Sequence, residues 1–414
     1  MNILILYSHF WPDSPPYASM LRSIAERLTK DGHLVTVVCQ QPSYKETDRK
    51  LDLAKLECLH EVMVHRLDRL PLLQSSNILR ALSKLSFPVR SYFYCRRNFA
   101  SDQFDLVWTA TIPPVISGVV GRILAKRYSA KFLYHCQDLY PEIAVHMRMI
   151  KPGSFTHKLA NRWEVRTRET ADILVSLSQD MKTTIDNSAR PKQHAHIVLN
   201  NFSLEDFSNS NELEESPSNK ESVFSCTGSV KVIFAGNIGQ FQGLENIAEG
   251  LISLGEKGKS LELVFVGEGK ALPKLKNICA NASNISFVPH QPYTIVKDMI
   301  GDADYGLVSL EPGIYQYAYP SKTLTYLGLS VALAVVVEAE SKLVEEIKQY
   351  KIGCYSEDDS PEKIAKLFSA MINDKSRIEE YKSNAHRHYL DHCARDITLD
   401  KWAKVISGLE QNIR

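Results

Sequence analysis

The sequence lacks any C-x-x-C pair, although 8 cysteines are scattered over its 414 residues. Scattered cysteines are typical of a reducing compartment and argue against a disulfide framework or a structural zinc site. No run reaches the roughly 18 apolar residues of a membrane span. The opening residues MNILILYSHFWP contain one short apolar run with no basic segment before it, which indicates a buried strand rather than a signal peptide. We therefore expect a cytoplasmic protein that is soluble or bound at a membrane surface.

An excess of charge of one sign is also absent, because 49 lysines and arginines balance 48 aspartates and glutamates. The net charge of +1 gives no general attraction to nucleic acid, so we expect no nucleic-acid partner. Among the 13 histidines, His388 and His392 have H-x-x-x-H spacing, but no acidic cluster with the geometry of a metal site accompanies them, and we expect no metal.

Short apolar runs alternate with helical patterns along the whole chain, which is typical of α/β proteins with parallel sheets. The runs that predict strands are NILILYS, LVTVVCQ, VMVHRL, FDLVWTA, AKFLYHCQ, DILVSLS, HIVLNN, KVIFAGN, LELVFVGEG, NISFVPH, YGLVSL and VALAVVVE. A polar, acidic segment at 203–229 predicts a linker. The sequence therefore predicts two Rossmann-like domains, 1–202 and 230–385, that face each other across a cleft, and a helical end at 386–414.

Four polar side chains follow the predicted strand AKFLY, namely His135, Gln137, Asp138 and Glu142. The carboxyl end of a buried strand is where ligands usually bind in a parallel sheet. A structural reading is also open, in which Asp138 caps the next helix and Pro141 lies in its first turn. The two readings are compatible, and we favour a functional site.

A glycine-containing turn ends the predicted strand KVIFA at Gly236 and Asn237, and a helix is expected to start near Gly243. Glycines let the backbone approach a phosphate, and a helix start presents free N–H groups. Gly267 and Gly269 follow the next strand in the same way. They lack the third glycine and the acidic residue of a dinucleotide fingerprint, so we do not expect NAD binding.

Two further polar patterns flank the strand YGLVSL. The D-x-D sequence at 302–304 could hold a metal and a diphosphate, but it precedes the strand, at the edge opposite to ligand sites, and predicts a helix-end turn. The sequence PSKT, from Pro320 to Thr323, stands directly before an apolar run. It predicts either an ordinary capped helix start or a site that binds an anion.

Acidic residues are missing between Asp68 and Asp102, whereas that stretch contains Arg69, Arg80, Lys84, Arg90, Arg96 and Arg97. Apolar residues from Ile78 to Phe93 recur near helical spacing, and Pro88 is expected to kink or split the helix. A basic amphipathic helix with aromatic residues suits an anionic membrane, so residues 77–97 could contact the inner membrane surface. A helix packed on its own domain with a solvated basic face is equally open.

Taken in order, these segments resemble the GT-B glycosyltransferases of family 4, and within them the fucosamine-transferase-like branch of bacterial surface polysaccharide synthesis. HCQDLYPE is similar to that branch's QD-L-x-PE segment, FAGNIGQFQGL to its AGN-x-G-x-x-QGL segment, and PSKTLTYL to its PSK-x-x-x-Y segment. The first strand, the helix with Arg22 and the GH-x-V-T-V turn also resemble it. The resemblance spans nearly the whole chain.

The resemblance implies the GT-B fold, with the acceptor bound mainly by the first Rossmann-like domain, the nucleotide-sugar by the second, and the last helix (386–414) packed on the first. It also implies transfer with retention of anomeric configuration, without a metal or another cofactor. The implied catalytic residues are Asp138 at the reacting sugar and Lys322 at the diphosphate. The implied donor-binding residues are Gly236, Asn237, Gln242, Gly267, Gly269, Val288, His290, Ser321, Thr323 and Tyr326. The implied acceptor-binding residues are Pro16, Tyr17, Arg22, His135 and Glu142.

The chain departs from the family pattern near the expected donor site. Many family 4 enzymes carry two glutamates eight residues apart, and Tyr317 and Thr325 stand at the matching positions. The usual Gly-x-Pro that follows has become Leu329-Ser330-Val331. One of the missing glutamates would normally hold the donor ribose, and Glu340 or Glu345 could replace it.

We therefore predict a retaining glycosyltransferase of the hexosyl or N-acetylhexosaminyl type, in the cytoplasm or on the cytoplasmic face of the inner membrane. It would move a sugar from a nucleotide-sugar, with UDP-sugar as first choice, to a lipid-linked or growing glycan in capsule, O-antigen or exopolysaccharide synthesis. Two alternatives stay open. One is a scaffold that binds nucleotide-sugar without turnover, suggested by Tyr317 and Thr325. The other is a non-hydrolysing UDP-sugar 2-epimerase, which shares the fold and would leave the basic stretch unexplained.

Overall fold

The computed structural model describes residues 1–45, 47–69, 77–188, 195–203, 222–225, 228–240 and 242–411. Most of the predicted linker therefore lies outside the described residues, as do the side chains of residues 77–84. The chain divides into two compact units, Met1–Leu204 with Thr398–Arg414, and Glu205–Ile397.

A mixed sheet forms the centre of the first unit. Its strands are β1 (Asn2–Leu6), β2 (Leu34–Gln40), β3 (Leu56–Leu59), β4 (Val62–Leu67), β5 (Leu106–Ala110), β6 (Lys131–Cys136), β7 (Ile173–Ser176) and β8 (Ala195–Val198). They lie in the order β3-β4-β2-β1-β5-β6-β7-β8, and only β3 is antiparallel to its neighbour. The sequence did not predict β3, because its residues alternate between exposed and half-buried and form no apolar run. The chain changes direction across the sheet between β1 and β5, so the carboxyl edge there is the expected ligand crevice.

Helices cover this sheet, as the alternation of apolar runs with helical patterns predicts. They are α1 (Pro16–Lys30), α2 (Asn77–Asn98), α3 (Ile116–Tyr128), α4 (Glu142–His146), α5 (Phe155–Thr170) and α6 (Gln179–Ser188). The C-terminal helix, Arg395–Gln411, also packs on this unit. Its Trp402 stacks on Trp108 with ring centres 4.4 Å apart, and Ile406 joins the same core. The prediction that the last helix packs on the N-terminal domain is therefore confirmed.

Helix α2 is continuous from Asn77 to Asn98 and includes Pro88, so Pro88 does not split it, and the alternative of a kink stays a prediction. A proline removes a single N–H from the helix ladder, while the buried Phe87 and Cys95, two turns apart on one face, hold the helix against the unit. The predicted apolar stripe is not the packed face, because Phe93 is exposed.

The second unit contains a fully parallel sheet, as the sequence predicts. Its strands are β9 (Val230–Ala235), β10 (Leu261–Val266), β11 (Ile285–Val288), β12 (Tyr305–Ser309), β13 (Ala332–Val336) and β14 (Gly353–Ser356). They lie in the order β11-β10-β9-β12-β13-β14. The sequence did not predict β14, because the strand is short, begins with glycine and is half-buried at its centre. The direction of the chain across the sheet changes between β9 and β12, which makes their carboxyl ends the expected ligand crevice.

The helices of the second unit are α7 (Leu244–Ile252), α8 (Leu272–Ile278), α9 (Tyr293–Gly301), α10 (Lys322–Gly328), α11 (Lys342–Tyr350), α12 (Pro361–Asn373) and α13 (Ile378–His388). The D-x-D sequence lies in the turn between α9 and β12. Asp302 pairs with the Lys231 ammonium at 2.7 Å, and Asp304 accepts the Lys231 N–H at 2.8 Å. The predicted turn is confirmed, because both carboxylates hold the amino end of the sheet. Across the residues that the structure describes, none of the helices is long and apolar enough to cross a membrane.

Candidate functional site

The side chain of Lys322, the first residue of α10, lies against the turn that follows β9. Its ammonium nitrogen lies 3.8 Å from the centre of the Phe234 ring. A Cβ atom at Gly236 would stand 2.7 Å from the Lys322 Cε, so glycine at this position leaves the space that the lysine side chain occupies. The turn glycine and the PSKT segment, predicted separately from the sequence, therefore form one local structure.

The charge of Lys322 has no counterion in the part of the second unit that the structure describes. Its side chain is largely buried, and no carboxylate of the described residues pairs with it. Burial lowers the pKa of the Lys322 ammonium to about 7, because the charged form loses its hydration. A buried cation without a carboxylate partner is the feature that an anionic ligand would neutralise.

The turn after β9 is tied to the end of β12, across the point where the sheet changes direction. The Ser309 hydroxyl donates a hydrogen bond to the Gln242 carbonyl oxygen. The Gln242 side-chain oxygen accepts the Gly239 N–H at 3.3 Å. Asn237 is exposed on the same turn. The predicted donor-binding residues Gly236, Asn237 and Gln242 thus lie together at the crevice.

Gly267 and Gly269 hold the turn after β10 against the turn after β9. A Cβ atom at Gly267 would overlap the Gly236 carbonyl oxygen, and one at Gly269 would overlap the Ile238 carbonyl oxygen. The Ile238 N–H donates to the Glu268 carbonyl oxygen at 2.8 Å. These two glycines are therefore required for close packing of two backbones, and their predicted contact with the donor stays a prediction.

The other predicted donor residues occupy different environments. Ser321 is exposed before α10, whereas Thr323 is fully buried. The Tyr326 hydroxyl accepts the Ala235 N–H at 3.0 Å, which fixes α10 to the end of β9. The structure places Val288 at the end of β11 and His290, which is exposed, two residues beyond it.

Two residues at this crevice were not found by sequence reasoning. Phe234 reads as an ordinary core residue of a buried strand, and only the structure places its ring beneath Lys322. Glu338 accepts the Gly313 N–H and so joins the segment after β13 to the loop after β12. In the sequence, Glu338 could have been noticed as the first charged residue after the apolar run VALAVVV. Of the two proposed substitutes for the missing glutamates, Glu345 pairs with Lys342 at 2.7 Å and Glu340 is exposed.

Asp138 lies at the carboxyl edge of the first unit, in the loop after β6. The Thr111 hydroxyl oxygen, in the loop after β5, accepts the N–H groups of Gln137 at 3.1 Å and Asp138 at 3.3 Å. Burial raises the pKa of the Asp138 carboxyl to about 6. The reading of Asp138 as a helix cap is wrong, because α4 begins after Pro141 and no side chain caps it.

Tyr17 and His135 form a buried polar contact beside this loop. The Tyr17 hydroxyl oxygen lies 2.7 Å from the His135 Nδ1, and the Gln137 amide nitrogen lies 2.9 Å from the His135 Nε2. With the amide in this orientation, Gln137 donates to Nε2 and the Nδ1–H donates to Tyr17. Burial lowers the pKa of His135 to about 3, so the ring is neutral at physiological pH.

Three other predicted acceptor residues support the local structure of the first unit. Arg22 donates to Glu26 at 2.6 Å and stacks on the Trp11 ring, with 4.2 Å from its guanidinium carbon to the ring centre. Pro16 is exposed at the first position of α1. Glu142 lies 3.9 Å from a guanidinium nitrogen of Arg168.

Sequence reasoning also missed a pair in the loop after β1. His9 Nδ1 lies 2.6 Å from the buried Asp13 carboxylate. Asp13 also accepts the N–H groups of Ser43 at 3.3 Å and Tyr44 at 3.1 Å. The path of the loop, rather than a helix, brings His9 and Asp13 together. Their spacing of four residues therefore matches no pattern that could be recognised in the sequence.

The chain is similar in sequence and in fold to known glycosyltransferases. Residues 17–201 match the family described as Glycosyl transferase 4-like domain. The chain is 22% identical over 360 residues to the "Putative colanic acid biosynthesis glycosyl transferase WcaI" of Escherichia coli (strain K12), covering 83% of this chain and 85% of that protein. It is 22% identical over 309 residues to the "Probable glycosyltransferase WbjE" of Pseudomonas aeruginosa, covering 74% and 75%. The solved structure of HepE from Anabaena, in complex with UDP and glucose, is similar with a TM-score of 0.68 and 12% identity, covering 99% of this chain and 100% of that chain.

Two α/β units whose sheets are parallel except for β3, and a C-terminal helix that packs on the first of them, define the GT-B class of fold. Within that class the chain is similar, over residues 17–201, to the Glycosyl transferase 4-like domain family and, over most of its length, to WcaI and WbjE.

Proposed function

We propose that this protein is a family 4 glycosyltransferase that moves a sugar, with retention of anomeric configuration, from a UDP-sugar to a lipid-linked or growing glycan. The observation that carries the proposal is Lys322, a buried ammonium group at the carboxyl edge between β9 and β12. It lies beside the Gly236 turn without a carboxylate partner among the described residues. A diphosphate would supply the missing negative charge at the edge where parallel sheets bind their ligands.

Uridine as the base is supported by the complex of HepE with UDP, since HepE shares the fold. In this proposal the base lies near Val288 and His290, next to the Gly267–Gly269 turn. The transferred sugar is a hexose or an N-acetylhexosamine. In this proposal Glu338, which accepts the Gly313 N–H, also bonds the donor and takes the role of the glutamates whose positions Tyr317 and Thr325 occupy.

Charge on the leaving group determines the proposed mechanism. The diphosphate gains negative charge as the glycosidic bond breaks, and a cation already in position lowers the energy of that transition state. The N–H groups of Thr323 and Leu324 donate to the carbonyl oxygens of Pro320 and Ser321. The Lys322 side chain therefore supplies most of the stabilisation, and the proposed reaction requires no metal or other cofactor. Asp138 orients the acceptor hydroxyl or responds to positive charge on the reacting sugar.

The proposed class of acceptor is inferred from a similar protein, and the proposed location of the enzyme is inferred from exposed residues of α2. One relative is named for colanic acid biosynthesis, which supports an acceptor in capsule, O-antigen or exopolysaccharide synthesis. The QD-L-x-PE and PSK-x-x-x-Y segments support the fucosamine-transferase-like branch. We place the protein in the cytoplasm with peripheral contact of residues 77–97 on the inner membrane, because Val89 and Phe93 are exposed on α2 beside Arg96.

The experiment is a nucleotide screen followed by a transfer assay with the purified full chain. We expect UDP to raise the apparent Tm more than GDP does, since a ligand that binds only the folded state stabilises it. With a panel of UDP-sugars and a membrane extract as the acceptor source, release of UDP should depend on the extract and persist in EDTA. Isomerisation of the donor without extract would instead identify an epimerase, and binding without turnover across the panel would identify a scaffold.

A further inference from the structure

A basic groove lies on the first unit, between α3, α5 and the end of α6. It has a volume of about 610 Å³, and its lining includes Arg122, Arg162, Trp163, Arg166, Glu169 and Ser188. None of these residues belongs to the loops that carry Asp138 or the other predicted acceptor residues. The groove is therefore separate from the proposed acceptor site.

Positive charge in the groove exceeds the negative charge available to balance it. Arg166 lies 3.7 Å from Glu169, a long ion pair on the protein surface. Within the described ranges no carboxylate pairs with Arg122 or Arg162, and the Arg122 Nε is buried without a hydrogen-bond partner. Arginine binds phosphate oxygens through paired N–H donors. The groove thus has unused donors for an anionic phosphate group.

Apolar side chains project from the same helix faces. Phe155, Trp163 and Ile123 are exposed to 79%, 42% and 43%, respectively. Arg162 and Trp163 follow Phe155 by seven and eight residues, so both lie near the face of α5 that carries Phe155. Tryptophan and phenylalanine tips between arginines are suited to an interface that is apolar on one side and polar on the other.

Helix α2 extends this surface, because α2, α3 and α5 lie side by side. The Tyr128 hydroxyl donates to the Cys95 carbonyl oxygen at 3.0 Å, which joins α3 to α2. A Cβ atom at Gly118 would stand 2.6 Å from the Thr167 side chain, so α3 and α5 are in close contact. Neither α2 nor α3 contains an acidic residue. The outer faces of the three helices form one basic, apolar-tipped surface, which we call the α2–α3–α5 face.

We propose that the α2–α3–α5 face docks on an anionic lipid bilayer, and that the groove lined by Arg122, Arg162 and Arg166 binds the phosphate of a lipid headgroup. Charge complementarity selects the bilayer, because the surface combines unneutralised arginines with separate apolar tips that can enter the headgroup region. The inference rests on the proposed function in one respect, because a lipid-linked acceptor would bring the protein to a membrane. It extends the membrane contact from α2 to a headgroup site on α3 and α5.

The test measures co-sedimentation of the full chain with vesicles of phosphatidylcholine, with and without phosphatidylglycerol. We expect binding to the anionic vesicles, and a loss of roughly tenfold or more in the partition coefficient for Arg162→Glu/Arg166→Glu, because the variant reverses two charges that the anionic surface attracts. The matched control is Lys30→Glu/Lys404→Glu, which makes the same charge change at exposed positions on α1 and the C-terminal helix. It should bind within about twofold of the unmodified protein. Equal loss in both variants, or no loss in either, would overturn the proposal.

A second pair of variants tests the apolar tips. Phe155→Ser should weaken vesicle binding, whereas Leu34→Ser, which removes another exposed apolar side chain of the first unit, should not. Thermal shifts with inorganic phosphate distinguish a soluble anion site. A phosphate shift that Arg162→Glu/Arg166→Glu abolishes, without any vesicle binding, would contradict the proposal. So would a dimer that dissociates in this variant, detected by sedimentation velocity.

The two proposals can fail separately. UDP binding requires no membrane and reports only on the donor site. If Arg162→Glu/Arg166→Glu keeps the unmodified affinity for UDP and loses vesicle binding, both proposals are supported. If UDP binds and vesicle binding does not respond to the variant, only the headgroup site is wrong.

Discussion

The ammonium nitrogen of Lys322 lies 3.8 Å above the ring of Phe234, and no carboxylate of the described residues shares this position. The aromatic face stabilises the cation without neutralising its charge. The lysine is thus held in place before any ligand arrives, with its charge available to a diphosphate. Preorganised charge of this kind is the main contribution that proteins make to leaving-group departure.

When UDP binds, the Lys322 side chain should take up a proton. The free ammonium has a pKa of about 7, whereas a bound diphosphate would raise the pKa by stabilising the charged form. Above neutrality the free lysine is mostly unprotonated, so binding requires protonation and affinity should fall as pH rises through about 7. Calorimetry in buffers of different ionisation enthalpy, at about pH 8, should detect this uptake. Lys322→Arg is the control, because arginine stays charged and should take up no proton.

Phe234→Leu should shift that pH dependence to lower pH. Loss of the ring removes a cation–π contact worth about 0.5–2 kcal/mol, which favours the charged lysine. The midpoint of the fall in UDP affinity should therefore move down by roughly 0.4 to 1.5 pH units. Phe265→Leu is the matched control, since its ring centre lies 5.9 Å from that of Phe234 in the same core. A shift of equal size in both variants would assign the effect to general loosening of the core.

The first unit should unfold more easily in the Arg168→Met variant. Adding Glu164→Gln to this variant should restore part of the lost stability. Arg168 is buried, lies 3.4 Å from the Glu164 carboxylate and donates to the Tyr140 carbonyl oxygen at 2.9 Å. Removal of one partner leaves a buried carboxylate without its counterion, at a cost of about 3–5 kcal/mol. Chemical denaturation should show a smaller loss for the double variant than for Arg168→Met alone. Additive losses would contradict a direct charge coupling.

Ser330→Gly should stabilise the second unit. Ser330 follows α10 with φ of 58°, a left-handed conformation that glycine adopts without strain. The Val331 N–H donates to the Tyr326 carbonyl oxygen at 2.9 Å, which completes the helix-ending hydrogen bond that requires this conformation. We expect a gain of about 1 kcal/mol, read as a higher Tm. Ser253→Gly serves as control, because Ser253 has φ of −62° and glycine there should not stabilise.

The sequence predicted most of the fold because the central strands are buried on both faces and appear as continuous apolar runs. Leu261–Val266 is buried throughout and was recognised, whereas Leu56–Leu59 and Gly353–Ser356 are partly exposed and were not. The same logic located Lys322 and Gly236, since polar residues and glycine directly follow or precede apolar runs. It did not locate Phe234, because a buried phenylalanine beneath a lysine has the same local pattern as any core residue. It also missed His9 and Asp13, whose contact depends on the path of a loop.

The α2 helix shows how tertiary packing overrides a local pattern. Pro88 predicted a kink or a split, and the apolar residues from Ile78 to Phe93 left open whether they contact a membrane or pack on the domain. The structure buries Phe87 and Cys95 and leaves Phe93 exposed to 61%. Sequence periodicity alone cannot decide which of two apolar faces packs on the sheet.

The most direct test of the central claim is acceptor-dependent turnover by Lys322→Ala, measured as release of UDP from a UDP-sugar that the unmodified protein uses. Removal of a preorganised cation from the leaving group should lower kcat by roughly a hundredfold or more, and Lys322→Arg should retain part of the activity. Circular dichroism and the Tm should show that each variant is folded. If folded Lys322→Ala kept the unmodified kcat, Lys322 would not stabilise the leaving diphosphate and the account would be wrong.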